Sequence, residues 1–157
     1  MSVAFTKESD SEAVAADLPD RPISAHPNLV TPAGLAAIDT ELSVAKVAYA
    51  EAQAGGAISA DRTAMARATR DLRYWSARRG SAQVIEAAID DTVVFGVTVT
   101  IEGAAGTRTW RIVGEDEADP ANGSVSYVSP LARALLGKGV GEVAKVAGTD
   151  VEIVAVA

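Results

Sequence analysis

The sequence predicts an α+β chain: an N-terminal antiparallel coiled-coil hairpin followed by an antiparallel β-sheet domain that carries one short helix. Its apolar pattern carries the prediction. Apolar or small residues recur at alternating spacings of three and four from Leu35 to Ala52 and again from Met65 to Trp75, which is the seam of two paired helices. Adjacent glycines, Gly55 and Gly56, separate the two stripes, and beyond Gly80 the pattern changes to in-out alternation, the period of a half-buried strand.

Residues 1–30 mix Ser, Asp, Glu, Pro and Ala without a sustained apolar period, so they read as a flexible or extended arm. Thr31-Pro32 opens the first helix, with Thr31 as N-cap and Pro32 at the first helical position, where a missing N–H is harmless. Its seam is Leu35, Ile38, Leu42, Ala45, Tyr49 and Ala52; that of the second helix, capped by Ser59, is Met65, Ala68, Leu72 and Trp75. Arms of about 20 residues give a hairpin roughly 30 Å long, spanning residues 31–79. The small seam residues bury little area, so the hairpin is expected to be less stable than the domain that anchors it.

Residues 80–157 form that domain. The strand candidates are Gln83–Glu86, Val93–Ile101, Thr107–Val113, Ser124–Val128 and Val151–Val156. A short helix, Leu131–Leu136, is opened by Ser129-Pro130 and closed by Gly137.

Composition excludes whole classes of chemistry. The 157 residues contain no cysteine and one histidine, His26, which removes disulfide scaffolds, thiolate metal sites and most imidazole schemes. No apolar run is long enough to span a bilayer and no leader pattern opens the chain, so a cytoplasmic location without membrane contact is expected. The net charge of −7 argues against tight direct binding to nucleic acid. One stretch runs against that sum: residues 55–79 carry six arginines (Arg62, Arg67, Arg70, Arg73, Arg78, Arg79) and two acids. Guanidinium groups suit planar contact with carboxylate or phosphate, although a solvated helix face is the usual state of a charge run.

A stiff hairpin carries whatever lies at its turn far from its base, so the tip Gly55, Gly56, Ala57, Ile58, Ser59, Ala60, Asp61 and Arg62 is a candidate site. Asp61 is its one acid. Holding Mg²⁺ usually takes one or two carboxylates, and paired acid–base work takes two, so no catalytic residue and no metal ligand are assigned. The acidic run Glu115, Asp116, Glu117 and Asp119 follows the strand ending at Val113. It reads either as a solvated loop or as a docking patch for a basic partner.

Three blocks in order, Val94–Val99, Trp110–Asp119 and Ser129–Lys138, resemble the C-terminal domain of the bacterial Gre (GreA/GreB-like) transcript cleavage factors. Thr31-Pro32-Ala33-Gly34-Leu35 resembles the opening of that family's hairpin, so the likeness covers about residues 31–157. It implies an FKBP-like head without isomerase activity, docked on the rim of the secondary channel of bacterial RNA polymerase, with the hairpin entering the channel. In such factors two tip acids help the polymerase hold a second Mg²⁺ and the attacking water. The resemblance places docking on Ser129, Pro130, Leu131 and Arg133, with Asp116, Glu117 and Asp119 beside them.

The tip departs from the family pattern, approximately Gly-Asp-Leu-x-Glu-Asn-Ala-Glu-Tyr. Here Gly56-Ala57-Ile58-Ser59-Ala60 puts alanine at both positions that should be acidic, and a methyl group coordinates nothing. Both arms also look roughly two turns short, which withdraws the tip by about 11 Å. The leading expectation is a channel-binding regulator of elongation that does not stimulate cleavage, with no cofactor of its own beyond possible contact with the polymerase Mg²⁺. The alternatives are a true cleavage factor using Asp61 with Glu51, a regulator of nucleoside diphosphate kinase, or a coiled-coil module with another partner. The oligomeric state stays open, since Tyr49 and Trp75 could pair with a second copy.

Overall fold

The computed structural model describes residues 18–55 and 59–157, with backbone alone for Ser59, Ala60 and Asp61. In chain order the elements are β1 (Leu29–Val30), α1 (Pro32–Ala54), α2 (Ser59–Ser81), β2 (Gln83–Val84), β3 (Thr98–Gly103), β4 (Gly106–Val113), a 3₁₀ turn (Pro120–Asn122), β5 (Ser124–Ser126), α3 (Pro130–Leu135), β6 (Val143–Val146) and β7 (Thr149–Val156). The chain forms two compact units. One holds residues 38–81 with the described residues 18–25, the other residues 26–37 and 82–157.

In the helical unit the seam reads as expected. Ile38, Ala45 and Ala68 are buried and Leu42, Tyr49, Ala52, Met65, Leu72 and Trp75 are half-buried. Each helix is 23 residues long, about 34 Å at 1.5 Å per residue. Arg79 Nε donates to Asp39 Oδ1 at 2.6 Å, tying the last turn of α2 to the start of α1 as an antiparallel pair requires. The arginines are largely engaged within this unit. Arg73 meets Asp20 at 3.2 Å, Arg70 meets Asp71 at 3.6 Å, and Arg78 is partnered and only 2% exposed.

In the other unit β3–β7 form a five-stranded sheet in the order β5-β4-β3-β7-β6. The pairs β3–β4 and β3–β7 are antiparallel as expected and β6–β7 is antiparallel too, but the edge pair β4–β5 is parallel. Val99, Ile101, Ile112, Val125 and Ile153 from the sheet, Val97 just before β3, and Ala132 and Leu135 from α3 make one core. No described helix is long and apolar enough to cross a membrane.

Several elements differ from the sequence reading. Leu29 and Val30, assigned there to the arm, form a parallel two-strand pair with Gln83 and Val84. The backbone closes it: Gln83 N–H donates to the Asn28 carbonyl at 2.8 Å and Ile85 N–H to that of Val30 at 2.9 Å. The remainder of the arm, residues 1–17, lies outside the described residues. The strand expected from Val93 begins at Thr98 instead. Val93, Phe95 and Val97 do point inward, but Gly96 turns with φ +89° and the ladder starts only beyond it. The strands expected to end at Glu86 and Val128 end at Val84 and Ser126, and β6 was not anticipated.

Candidate functional site

Parallel neighbours leave a sheet at the same end, and that places the two candidate docking segments together. β4 pairs with β5 through Arg111–Ser124, Ile112–Val125 and Val113–Ser126. The acidic run leaves β4 after Val113 while the approach to α3 leaves β5 after Ser126. Tyr127 N–H donates to the Val113 carbonyl at 2.9 Å, lacing the two exits.

On the β5 side, Ser129 is the N-cap of α3: its Oγ accepts from Ala132 N–H at 3.2 Å and Pro130 occupies the first turn, as the Ser-Pro dipeptide predicts. Ala132 and Leu135 face the core. Helical spacing therefore turns Pro130 and Arg133 to solvent and leaves Leu131 half-buried against the core. Arg133 lies in the last turn, where a cation suits the exposed carbonyls.

On the β4 side the acids part company. Glu117 folds back: its Oε2 accepts from Arg111 Nη1 at 3.3 Å and its Oε1 from the Thr31 hydroxyl. Thr31 Oγ1 in turn accepts from Gly34 N–H at 3.0 Å, the N-cap bond of α1. A hydroxyl has one proton to give and two lone pairs, so one oxygen caps the helix and donates to the carboxylate. A Cβ at 34 would meet Glu117 Oε1 at 2.5 Å, so a side chain there would push the carboxylate away from the Thr31 hydroxyl. Asp119 lies at the other end of β5, its backbone N–H donating to Ser124 Oγ at 2.9 Å and its Oδ2 accepting from Asn122 Nδ2 at 2.6 Å. Asp116 is half-buried and partnered.

The structure thus brings Ser129 and Pro130 beside the loop that carries Asp116 and Glu117, and separates Asp119 from them. The Thr31–Glu117–Arg111 chain was missed by the sequence reading. Its members are 86 and six positions apart, and nothing in local spacing marks them.

At the tip, α1 closes with Gly55 N–H donating to the Glu51 carbonyl at 3.1 Å. Gly56, Ala57 and Ile58 lie outside the described residues, as do the side chains of Ser59, Ala60 and Asp61. Arg62 is exposed on α2 and partnered. Among the described residues no group of three His, Asp or Glu could hold a metal ion.

The family described as "Transcription elongation factor, GreA/GreB, C-term" matches residues 88–157, which contain the whole five-stranded sheet, the acidic loop and α3. The transcription elongation factor GreA of Rhodopseudomonas palustris is 51% identical over 67 residues, 41% of this chain, and that match spans only 38% of the relative's length. GreA of Maricaulis maris is 36% identical over 137 residues, covering 74% of this chain and 86% of the relative. The GreA factor homolog Gfh1 of Thermus thermophilus superposes loosely, with a TM-score of 0.39 and 19% identity over 84% of this chain and 99% of that one. At 36% identity over 74% of this chain and 86% of the relative, the Maricaulis match shows that the chain belongs to the GreA/GreB family of transcription elongation factors.

Proposed function

We propose that this chain is an accessory factor that binds bacterial RNA polymerase through its sheet unit, presents the hairpin to the secondary channel and does not stimulate transcript cleavage. The observation that carries the reading is alanine at both Ala57 and Ala60, in a family whose cleavage members resemble this chain except for acids there. Two carboxylates hold a divalent cation by charge and lone pairs; two methyl groups supply neither. The tip residues do not fit Mg²⁺.

Docking is assigned to the solvent-facing Pro130 and Arg133, with the half-buried Leu131 and Ser129 holding the start of α3 in place. Asp116 and Asp119 add negative charge along the same edge. Glu117, engaged with Thr31 and Arg111, shapes the loop instead of reaching outward. The test is a transcript cleavage assay on stalled, backtracked polymerase, with binding to core polymerase measured in the same samples. Binding without faster cleavage is expected. Faster cleavage would mean that Asp61 recruits the metal, and a chain that binds purified nucleoside diphosphate kinase but not polymerase would overturn the partner.

A further inference from the structure

Helix α1 carries a second stripe besides the seam that meets α2. Ala37, Thr40, Val44, Val47, Glu51 and Ala54 recur at spacings of three, four, three, four and three. All six are exposed, Val44 by 60% and Val47 by 58%. At about 100° per residue this stripe sits roughly 160° round the helix from the seam that runs from Leu35 to Ala52. An open depression of about 360 Å³ on this face is lined by α1 residues alone, with Val44, Val47 and Glu51 among them. The charged residues of the helix are Asp39, Glu41, Lys46 and Glu51, and only Glu51 falls in the stripe. A helix that is apolar on two opposite sides is suited to lie between two neighbours, and α2 supplies one.

The second neighbour must offer an apolar row at the same spacing. Among the described helices, α2 sets its one such row against α1 and exposes Arg67 and Arg73, while α3 is six residues long. That leaves the stripe itself. Laid antiparallel on a second copy, it is a palindrome about the point between Ala45 and Lys46: Ala37 meets Ala54, Thr40 meets Glu51 and Val44 meets Val47. Self-complementarity of this kind is what a two-fold interface requires. Charge fixes the direction. In a parallel pair Glu51 would face its own copy, whereas in the antiparallel pair the two carboxylates stand about 16 Å apart along the axis, beyond the reach of unscreened repulsion.

We propose that two copies of this chain pair antiparallel through the outer face of α1, in the order α2-α1-α1-α2, with the exposed arginines of α2 left outward. From Ala37 to Ala54 the overlap is about 26 Å long and one helix diameter, about 12 Å, wide. That gives on the order of 300 Å² on each copy, against about 800 Å² for a standard stable interface. The pair is therefore weak and reversible, a monomer at micromolar and a dimer at millimolar concentration.

The chain has no cysteine, so Thr40→Cys and Glu51→Cys chains, mixed in equal amounts and mildly oxidised, report the register. The mixed disulfide should exceed either same-site disulfide several-fold, because identical sites lie too far apart to bridge. In sedimentation equilibrium the mass of the parent chain should rise toward that of a dimer at millimolar concentration. Val44→Glu should lower the paired fraction there at least fivefold with helix content by circular dichroism unchanged, and Lys46→Glu, off the stripe, should leave it within twofold. A parent chain that stays monomeric at millimolar concentration overturns the pairing. So does a Val44→Glu chain that pairs as well as the parent, a Lys46→Glu chain that loses as much as Val44→Glu, or a same-site disulfide as abundant as the mixed one.

Discussion

Replacing Thr31 by alanine removes a single oxygen that performs two tasks. Thr31 Oγ1 accepts from Gly34 N–H at 3.0 Å and donates to Glu117. Loss of an N-cap costs about 1 kcal/mol, and loss of a hydrogen bond to a charged group about 1.5–3 kcal/mol. The carboxylate is 17% exposed, while Arg111, its other partner, is 43% exposed at 3.3 Å, so that ion pair adds at most about 1 kcal/mol and cannot substitute for the hydroxyl. Thr31→Ala should therefore destabilise the sheet unit by about 2.5–4 kcal/mol, a fall in midpoint of roughly 10–30 °C for a domain of this size. Thr31→Ser, which keeps the oxygen, should cost under about 1 kcal/mol. Unfolding is followed by Trp110 fluorescence in a Trp75→Phe background. The reasoning is refuted if Thr31→Ala and Thr31→Ser agree within about 0.5 kcal/mol, or if Thr31→Ala and Glu117→Ala add with no coupling.

Leu135→Ala, at a site with no exposure in the core, should cost about 2–5 kcal/mol in urea unfolding; a loss below about 1 kcal/mol would mean that α3 is not seated on the sheet. Gly114→Ala sets a methyl group against the Leu29 carbonyl oxygen, and this backbone cannot swing away as a side chain would. A destabilisation of about 1–3 kcal/mol is expected by the same assay, and a neutral result would show that β1 yields freely. Joint replacement of the exposed Pro130 and Arg133 by Ala and Glu should abolish retention on core polymerase in a pull-down with circular dichroism unchanged, and full retention would remove α3 from the docking surface. Trp75 and Trp110 report on different units, and among the described residues the buried apolar ones of the hairpin are Ile38, Ala45 and Ala68 against ten in the main core. Trp75 fluorescence should therefore change at lower urea than Trp110 fluorescence, and coincident midpoints would contradict the expected weakness of the hairpin.

Local rules made much of this fold legible. Seam spacing located the buried stripe of both helices, and Thr-Pro and Ser-Pro located two helix starts, because capping is settled within four residues of chain. Elements defined by distant pairing were not legible. β1 is two residues long, too short for any period to show. β6 and β7 are joined through Ala147 and Gly148, both at positive φ, +51° and +80°; alanine is not a residue that signals such a turn, so the hairpin carried no marker. At α3, Ser129, Pro130 and Arg133 were readable as a helix opening with one solvent face. The separation of Asp119 from Glu117 was not, because it depends on the parallel register of β4 with β5. Four acids in five positions look alike in sequence until the backbone decides which of them meets an arginine.

Chemistry and reach at the tip make separate demands, and a pair of variants distinguishes them. Ala57→Asp with Ala60→Glu supplies the missing carboxylates without lengthening either arm. Each helix is 23 residues, and arms about two turns longer would carry the tip about 11 Å further. Coulomb attraction between a carboxylate and a divalent ion acts at contact; across several ångströms of water it is screened to little. Acids alone should therefore leave cleavage by backtracked polymerase at the level of the parent chain, with binding unchanged. Adding one heptad to each arm keeps the seam facing inward, since seven residues return the stripe to the same side within about 20°. The lengthened chain with both acids should accelerate cleavage at least tenfold, whereas the lengthened chain with alanines should not. If the acids alone produced the acceleration, the arms would already reach the catalytic centre, and the alanines at 57 and 60 would be the whole reason that cleavage is not stimulated.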